Sequence, residues 1–320
     1  MKAKTIEFTA PSSVQVIDID LPDPGPNDAI VRTSFSGISS GTETLAFRGG
    51  VDPELVLDES IGSLSGTFRF PFRYGYSCVG VVERPAGPLQ VGQLVFCMHP
   101  HQSVLVRPAQ EMLPIEGVDP RVGTLLPMVE TGLQIALDVP DENGPILVLG
   151  LGVVGLLAAA ILRRDGKDVV GVEPQAARRD VASAFGVAAI DPSDVVGGAT
   201  TIVECSGRPE VLAQGLDLLD HEGIALVASW YGTKPVELPL GGAFHRRRLT
   251  IRSTQVSSIP RSQQGDWSFE TRTNAAVSLL KELPLDLLAT HTFPLDDAQQ
   301  AFEAADAGTD ALIHAALSYA

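Results

Sequence analysis

The stretch GLGVVG at residues 150–155 places three glycines at the spacing G-x-G-x-x-G. It follows the apolar run PILVL and leads into the apolar run LLAAAIL, an arrangement that predicts a strand, a tight turn and a helix. In such a turn Gly150 reverses the chain, Gly152 lets a bound group approach the backbone, and Gly155 lets helix and strand pack closely. The stretch therefore predicts a dinucleotide site, with the pyrophosphate at the helix N-terminus and the backbone of Val153 and Val154 beside it.

The alternation of strands and helices continues from about residue 129 to about residue 253. The predicted strands DVVGVE, TTIVECSG and GIALVASW alternate with the predicted helices AARRDVASAFG and EVLAQGLDLL. Continuous apolar strands between helices are typical of a parallel sheet that is covered on both faces. Residues 129–254 are therefore predicted to form a Rossmann domain, which is a doubly wound parallel sheet.

The flanking sequence has a different pattern. Up to about residue 115, short segments such as KTIEFT, SVQVIDI and DAIVRTSFS alternate apolar and polar residues between turn clusters, which predicts an antiparallel, partly closed β region. After about residue 255 the sequence predicts a long helix, a strand, a second helix and a last strand at residues 311–319. We assign residues 1–128 and 255–320 to this second domain, so the predicted fold class is α/β.

Composition excludes several kinds of partner. The chain has 39 acidic and 23 basic residues and a formal net charge of −16, which argues against nucleic acid and against an anionic membrane surface. The basic run HRRR at residues 245–248 is too short to reverse this. The three cysteines are far apart, and the chain begins without the apolar run of a signal peptide. We expect a cytoplasmic protein.

A carboxylate after the second strand indicates which dinucleotide binds. Glu173 ends DVVGVE, where its side chain can accept hydrogen bonds from both ribose hydroxyls of NAD and would repel a 2′-phosphate. The sequence therefore predicts a preference for NAD(H) over NADP(H). Arg178 and Arg179 lie nearby, so NADP remains open.

The stretch GISSGTE at residues 37–43 crowds three hydroxyls between two glycines, before a carboxylate. Such a cluster is either a turn whose hydroxyls bind the local backbone or the rim of an active site. Together with GYS at residues 75–77, GLGVVG and ECSG at residues 204–207, it resembles the medium-chain dehydrogenase/reductase superfamily, whose members carry G-I-C-G-T-D, G-H-E, G-x-G-x-x-G and E-x-S-G. The resemblance covers nearly the whole chain and implies a GroES-like catalytic domain beside the Rossmann domain. The block from WYG to STQV resembles a subgroup that includes bacteriochlorophyllide-type hydroxyethyl dehydrogenases.

The departures from the family pattern concern the catalytic zinc. Ser39 or Ser40 stands in place of the family's Cys ligand, Tyr76 in place of its His and Ser77 in place of its Glu. Hydroxyls are poor zinc ligands beside thiolate, imidazole or carboxylate, and the four-Cys run of the family's structural zinc is absent too. The resemblance therefore implies a protein without either zinc.

One alternative metal site deserves mention. Cys97, His99 and His101 alternate in CMHPH, so on a strand they would share a face and could bind a metal. Pro100 interrupts this strand, and no fourth ligand is evident. We therefore predict no metal.

The resemblance also implies further cofactor-binding residues. Thr131 stands where the family has a Thr that touches the nicotinamide, and Ser206 follows the strand near the nicotinamide ribose. Arg178 matches a basic residue beside the adenosine ribose. Ser229 and Thr254 match the strand ends that meet the carboxamide.

Without a metal, an alkoxide that develops on the substrate needs hydrogen-bond donors or a nearby base. By the family alignment, we hypothesise that Glu130 takes the proton, directly or through Thr42, while Tyr76 orients the substrate oxygen. Each residue has a simpler interpretation: Tyr76 packs, Thr42 caps the turn, and Glu130 pairs with an arginine.

The predicted function is a zinc-independent, NAD(H)-dependent oxidoreductase that interconverts a secondary alcohol and a ketone of a small molecule. One alternative is a reductase of activated C=C bonds, and another is a nucleotide-binding protein without turnover. The resemblance implies a homodimer, with LTIRSTQV as the candidate edge strand.

Overall fold

The structure, a computed structural model, describes the chain except for a few short gaps. The described residues are 1–58, 60–140, 144–308 and 312–319. The strands are β1 (Lys2–Ala10), β2 (Ser13–Asp20), β3 (Asp28–Ile38), β4 (Cys78–Arg84), β5 (Leu94–Cys97), β6 (Val104–Pro108), β7 (Met112–Pro114), β8 (Ile146–Leu149), β9 (Val169–Val172), β10 (Ala188–Ile190), β11 (Ala199–Glu204), β12 (Leu219–Val227), β13 (Thr250–Ser253), β14 (His291–Pro294) and β15 (Ala315–Ser318). The α-helices are α1 (Thr42–Phe47), α2 (Pro120–Gly123), α3 (Leu126–Asp138), α4 (Val153–Arg164), α5 (Ala176–Ala184), α6 (Pro209–Gly215), α7 (Phe269–Glu282) and α8 (Ala298–Ala307).

The contacts between residues divide the chain into two compact units. Unit 1 comprises Met1–Pro127 and Leu285–Ala320, and unit 2 comprises Met128–Pro284. The first division lies one residue from the predicted boundary. The second lies after residue 284, whereas the Rossmann domain was predicted to end at residue 254.

Unit 2 is built on a six-stranded parallel sheet. Its strand order is β10-β9-β8-β11-β12-β13, so the order reverses between β8 and β11. All four residues of β8 are buried, which explains why its sequence is a continuous apolar run. This order is that of the Rossmann fold, and it confirms the predicted parallel sheet. Strand β13 is one of the two outer strands of this sheet, and three of its four residues are exposed.

Unit 1 contains a mostly antiparallel sheet of seven strands and a separate hairpin. The order β14-β15-β3-β4-β5-β7 is antiparallel except for the pair β14 and β15, and β6 pairs with β3. Strands β1 and β2 form the hairpin. The hydrophobic core of unit 1 contains stacked and edge-on phenylalanine rings, among them Phe8, Phe72 and Phe302. The predicted antiparallel β region is confirmed, and of the predicted last strand Ala311 lies outside the described residues.

A buried arginine links residues 255–284 to the rest of unit 2. Arg272 on α7 donates from Nε to Oε1 of Glu130 on α3 at 3.2 Å. The next residue, Thr273, donates from Oγ1 to the same oxygen at 2.7 Å. These contacts join segments that are more than 140 residues apart, so no local pattern could have placed this boundary. As a division between functional domains, the predicted boundaries stay a prediction.

The state of the cysteines and the length of the helices were also considered from the sequence. Cys78, Cys97 and Cys205 are free thiols. Within the described ranges, every helix is too short or too polar to cross a bilayer.

Candidate functional site

The glycine turn of unit 2 has the geometry that a dinucleotide site requires. A Cβ on Gly155 would lie 2.0 Å from the carbonyl oxygen of Gly150, and a Cβ on Gly150 would lie 2.9 Å from Cα of Ser206. Both positions therefore exclude any side chain. Gly150 also has a φ of +94°, which favours glycine.

Gly152 is different, because no described atom lies within 4 Å of where its Cβ would stand. It is the N-cap of α4, and no side chain of the described chain caps this helix. The first N–H groups of the helix, at Val153 and Val154, are therefore available to an incoming anion. An uncapped helix start beside open space fits the pyrophosphate of a dinucleotide.

The Glu173 carboxylate is fixed beside this turn. The side chain is 3% exposed, and its oxygens accept hydrogen bonds from the backbone N–H of Leu151 at 2.8 Å and of Gln175 at 3.0 Å. Each carboxylate oxygen can accept a second hydrogen bond, so ribose hydroxyls can still bind. Close in sequence, Arg178 Nε and Gln175 Oε1 are buried without a hydrogen-bond partner in the described part of the chain. Their unused hydrogen-bonding capacity is what a polar ligand would satisfy.

Three predicted cofactor residues follow the ends of neighbouring parallel strands. Ser206 follows β11, Ser229 follows β12 and Thr254 follows β13. Because these strands are parallel and adjacent, the three residues lie along the same edge of the sheet, where α/β sheets bind ligands.

Hydrogen bonds hold each of these residues in place. Ser206 Oγ and N donate to Oε1 of the fully buried Glu204, at 2.5 and 2.7 Å. Ser229 Oγ accepts from a backbone N–H at 2.8 Å, and Thr254 Oγ1 donates to Asp138 Oδ2 at 2.7 Å. Asp138 ends α3, the helix that carries the half-buried Thr131.

In unit 1 the predicted hydroxyl cluster assembles around Tyr76. The hydroxyls of Ser39 and Thr42 lie near the Tyr76 phenol. The Thr42 N–H in turn donates to Ser39 Oγ at 3.3 Å, while Ser40 is exposed. Burial raises the pKa of Tyr76 above its usual range, and the negative charge of Glu43 raises it further. The cluster is therefore a set of neutral hydroxyls at ordinary pH, able to donate hydrogen bonds.

The motif analysis missed a pair of side chains directly behind this cluster. His101 Nε2 donates to Glu43 Oε2 at 2.6 Å, and both residues are 0% exposed. Glu43 Oε1 accepts from the backbone N–H of Ser39 at 3.0 Å. Gly75, before Tyr76, leaves room for the imidazole, since a Cβ there would lie 2.9 Å from His101 Cδ2. The available signal was Glu43 itself, a carboxylate that closes GISSGTE, but its partner is 58 residues away.

Two of the side chains at the family's zinc positions, Ser39 and Ser77, are hydrogen-bonded with the backbone. Ser77 Oγ donates to a backbone carbonyl at 2.6 Å. Of the alternative ligands, His101 binds Glu43, and burial lowers the pKa of His99 to about 4 and raises that of Cys97 to about 12. No three His, Cys, Asp or Glu side chains are grouped to hold a metal ion in the ranges that the structure describes. Hydroxyls and a buried, protonated thiol do not fit a zinc ion.

Glu130 pairs with an arginine, which is the simpler of the two interpretations of this residue. It is 5% exposed and accepts hydrogen bonds from Arg272 and Thr273. Arg272 also donates to Gln134 at 2.5 Å, and its guanidinium lies 5.2 Å from the ring centre of Phe269. The contacts favour a structural role, and the role of Glu130 as a general base stays a prediction.

The chain is similar in sequence to known dehydrogenases. The family model for zinc-binding dehydrogenases matches residues 153–270. The 2-desacetyl-2-hydroxyethyl bacteriochlorophyllide A dehydrogenase of Cereibacter sphaeroides is 28% identical over 336 aligned positions, which cover 98% of this chain and 97% of the relative.

Solved structures share the fold over almost all of the chain. An alcohol dehydrogenase of Escherichia coli CFT073, complexed with NADH, has a TM-score of 0.75 at 16% identity and covers 99% of both chains. A zinc-binding dehydrogenase of Sinorhizobium meliloti 1021, bound to NADP, has a TM-score of 0.76 at 18% identity and covers 100% of both chains.

Proposed function

Because the chain belongs to the medium-chain dehydrogenase/reductase superfamily of oxidoreductases, we propose that it interconverts a secondary alcohol and a ketone of a small molecule. The proposed reaction uses a nicotinamide cofactor, NAD(H) in preference to NADP(H), and no zinc. The Cereibacter relative supports the alcohol, since its name describes a dehydrogenase of a hydroxyethyl group.

The observation that carries the proposal is the turn at Gly152. An uncapped helix, a glycine with open space and a fixed carboxylate meet there, and these are the parts that hold the pyrophosphate and ribose of a dinucleotide. The solved structures with NADH and with NADP support a nicotinamide cofactor but do not favour one of the two. The preference for NAD(H) is therefore proposed from Glu173 alone.

The bound cofactor supplies or accepts a hydride. The chain itself must hold the substrate oxygen and move one proton, and Tyr76 is the residue that we assign to both tasks. The hydroxyls of Ser39 and Thr42 lie beside its phenol. In reduction the phenol gives its proton to the oxygen as the carbon is reduced, and in oxidation it takes the proton back.

Zinc independence is proposed from the donor set. The positions of the family's ligands carry Ser39, Tyr76 and Ser77, and the hydroxyls of Ser39 and Ser77 already have protein partners. Tyr76 would donate a hydrogen bond to the substrate oxygen, which stabilises negative charge there as a Lewis acid otherwise would.

A homodimer is proposed through the outer strand of the unit 2 sheet. Strand β13 has one neighbour, β12, and exposes three of its four residues. An unpaired edge can add a strand of a second chain. A molar mass of one chain by light scattering would rule this out.

The test of the proposed function begins with cofactor binding. Gly152→Ala places a methyl group in open space at a φ of −64°, so we expect an unchanged unfolding midpoint in the cofactor-free protein. NADH affinity, measured by fluorescence titration, should nevertheless fall by about tenfold or more. The methyl group would keep the pyrophosphate from the N–H groups of the helix, and one such hydrogen bond typically contributes about 1.5 kcal/mol to binding. Gly265→Ala is the control, since its added methyl also meets nothing. Equal NADH affinity in both variants would contradict a cofactor at this turn.

Turnover is then assayed with panels of secondary alcohols, ketones and enones. Oxidation of alcohols or reduction of ketones supports the proposal. Turnover of enones alone would replace it with C=C reduction, and tight NADH binding without any turnover would replace it with a binding function.

A further inference from the structure

A buried carboxylate lies where the strand order of the unit 2 sheet reverses. Glu204 is the last residue of β11, which pairs with β8 at this point, and it is fully buried. Its Oε1 lies 2.7 Å from the backbone nitrogen of Ser206. Ser206 in turn packs against the glycine turn, since a Cβ on Gly150 would lie 2.9 Å from Cα of Ser206. The carboxylate of Glu204 is therefore next to the turn that we assign to the pyrophosphate.

Three donors surround this carboxylate. Glu204 Oε1 accepts from the backbone N–H and the Oγ of Ser206, and Oε2 accepts from the Tyr231 hydroxyl at 2.6 Å. Ser206 Oγ itself accepts from the backbone N–H of Arg208 at 3.1 Å, so its own proton is directed to Glu204. Three donors around one group suit an ionised carboxylate, because that group only accepts hydrogen bonds.

The charge of Glu204 has no cationic partner in the part of the chain that the structure describes. Two cations of the adjoining loops are bound elsewhere. Arg208 Nε donates to Glu210 at 2.8 Å, and Lys234 Nζ donates to the backbone carbonyl of Gly207 at 3.3 Å. Both of these cations are exposed, so water and salt screen them, whereas the buried charge of Glu204 is screened much less.

A second carboxylate lies behind the same edge of the sheet. Asp138, the last residue of α3, accepts on Oδ2 from Thr254 Oγ1 at 2.7 Å and from Gln134 Nε2 at 3.0 Å. The exposed Arg252 donates to the backbone carbonyl of Asp138, not to its carboxylate. The edge from β11 to β13 therefore has two negative groups behind its hydroxyls.

The strand order indicates which half of a dinucleotide meets these charges. Glu173 follows β9 on one side of the glycine turn, and β11, β12 and β13 lie on the other side. With the adenosine ribose at Glu173 and the pyrophosphate at Gly152, the other half extends over the ends of β11 to β13. That half carries the nicotinamide ring, which is cationic in the oxidised cofactor and neutral in the reduced one. A fixed negative charge attracts only the cationic form.

We propose that Glu204, fixed by Ser206 and Tyr231, stabilises the cationic nicotinamide ring, so that the site favours the oxidised over the reduced cofactor. This inference rests on the proposed function for the presence and the placement of the cofactor. When a ketone is reduced, the hydride moves from the cofactor to the carbonyl carbon, the oxygen takes a proton, and the ring is left with a positive charge. Glu204 stabilises that charge and therefore lowers the reduction potential of the bound cofactor.

Glu204→Gln tests the role of the charge without substrate. The amide keeps the shape of the side chain, its oxygen can accept from Ser206, and its Nε2 can donate to the Tyr231 oxygen. The ratio of the dissociation constant of NAD⁺ to that of NADH, measured by titration, should rise about threefold to tenfold, the scale expected when a unit charge is removed from a partly buried site. A tenfold rise corresponds to a potential higher by about 30 mV for the bound cofactor. An unchanged ratio overturns the proposal.

Two further variants and one ligand separate the charge from the structure around it. Glu210→Gln removes an exposed carboxylate of α6 and should leave the ratio unchanged. Tyr231→Phe removes a donor to Glu204 but keeps its charge, so a rise in the ratio as large as that of Glu204→Gln overturns the proposal. ADP-ribose lacks the nicotinamide ring. If Glu204→Gln only distorts the turn, the affinities for ADP-ribose, NAD⁺ and NADH fall together and the ratio stays constant, which also overturns it.

The unmodified protein gives a result that does not depend on whether any variant folds. We expect NAD⁺ to bind at least as tightly as NADH, and NADH that binds more than about tenfold more tightly overturns the proposal. If both cofactors bind but Glu204→Gln leaves the ratio unchanged, the inference fails and the proposed function stands. If neither cofactor binds, the proposed function fails, and the role of Glu204 fails with it.

Discussion

Glu43 Oε2 and His101 Nε2 lie 2.6 Å apart, and neither side chain is exposed to solvent. Glu43 lies in the first turn of α1, and His101 lies in the loop between β5 and β6. The backbone of His101 is also held, because its carbonyl oxygen accepts from Thr5 Oγ1 at 2.8 Å. The pair therefore connects Ser39 of the hydroxyl cluster, through Glu43 and His101, to Thr5 on β1.

Removing one partner of this pair should destabilise the protein strongly. His101→Ala leaves the Glu43 carboxylate buried with one donor fewer, and breaking a buried pair in this way typically costs about 3–5 kcal/mol. Denaturant unfolding at neutral pH measures the loss. His221→Ala removes an exposed histidine and is the control, with an expected change within about 0.5 kcal/mol. A loss as small as that of the control would mean that the pair contributes little.

The protein purified without a metal-binding tag should contain far less than one zinc per chain. The reason is the donor set, since the family's ligand positions carry the hydroxyls of Ser39, Tyr76 and Ser77, which are poor zinc ligands. Elemental analysis of the purified protein measures this. Stoichiometric zinc, with activity lost to a chelator and restored by zinc, would contradict it.

Glu173→Ala should narrow the difference in affinity between NADH and NADPH. The variant removes the acceptor for the ribose hydroxyls and also the charge that repels a 2′-phosphate. Affinity for NADH should fall by roughly one to two decades, the scale of about 1.5–3 kcal/mol for a charge-assisted hydrogen bond, and affinity for NADPH should change less. Glu282→Ala, at an exposed pair with Arg164, is the control. An unmodified protein that already prefers NADPH would refute the assignment.

The sequence predicted the elements of both units well, because their signals are local. The run PILVL became β8, the glycine spacing became the turn before α4, and alternation marked β1 to β6. Strand β10 was not predicted, since it has three residues and none is fully buried. Short strands of this kind lack the pattern on which such a prediction depends.

The site residues that lie in sequence motifs were predicted, whereas the contacts that arise only from tertiary packing were not. GISSGTE and GYS brought Ser39, Thr42 and Tyr76 to attention through the family resemblance. The pairing of Glu43 with His101 depends on how β3 and the β5–β6 loop meet in three dimensions. In the same way, the sequence left open whether Glu130 pairs with an arginine, and it could not identify Arg272, which lies 142 residues later, as the partner.

Glu130→Gln decides between the two roles of that residue. If Glu130 is structural, the variant should lose about 3–5 kcal/mol of unfolding free energy, because Arg272 is left buried without its counter-charge. Turnover at a permissive temperature should then stay within about tenfold of the unmodified protein, well short of the ~10²–10⁴-fold loss of a general base. The double variant Glu130→Gln with Arg272→Met should recover part of the stability. Unchanged stability together with a ~10²-fold or greater loss of turnover would restore the role of general base.

Stability should fall as the pH falls from 6.5 towards 4, because two histidines are buried in neutral form. Burial lowers the pKa values of both His99 and His314 to about 4, from 6.5. In this pH window the unfolded chain binds protons that the folded protein does not, so the free energy of unfolding decreases with decreasing pH and levels off below about pH 4. A shift of this size corresponds to roughly 3 kcal/mol for each histidine.

His314→Gln can keep the hydrogen bond that His314 Nε2 makes with Thr124 Oγ1 at 3.0 Å, but it cannot titrate. Urea unfolding between pH 7 and pH 4.5 should therefore show a smaller loss of stability in His314→Gln than in the unmodified protein, by roughly 2–3 kcal/mol. His221→Gln, at an exposed position, should follow the unmodified protein. Parallel curves for His314→Gln and the unmodified protein would show that His314 titrates alike in the folded and unfolded states.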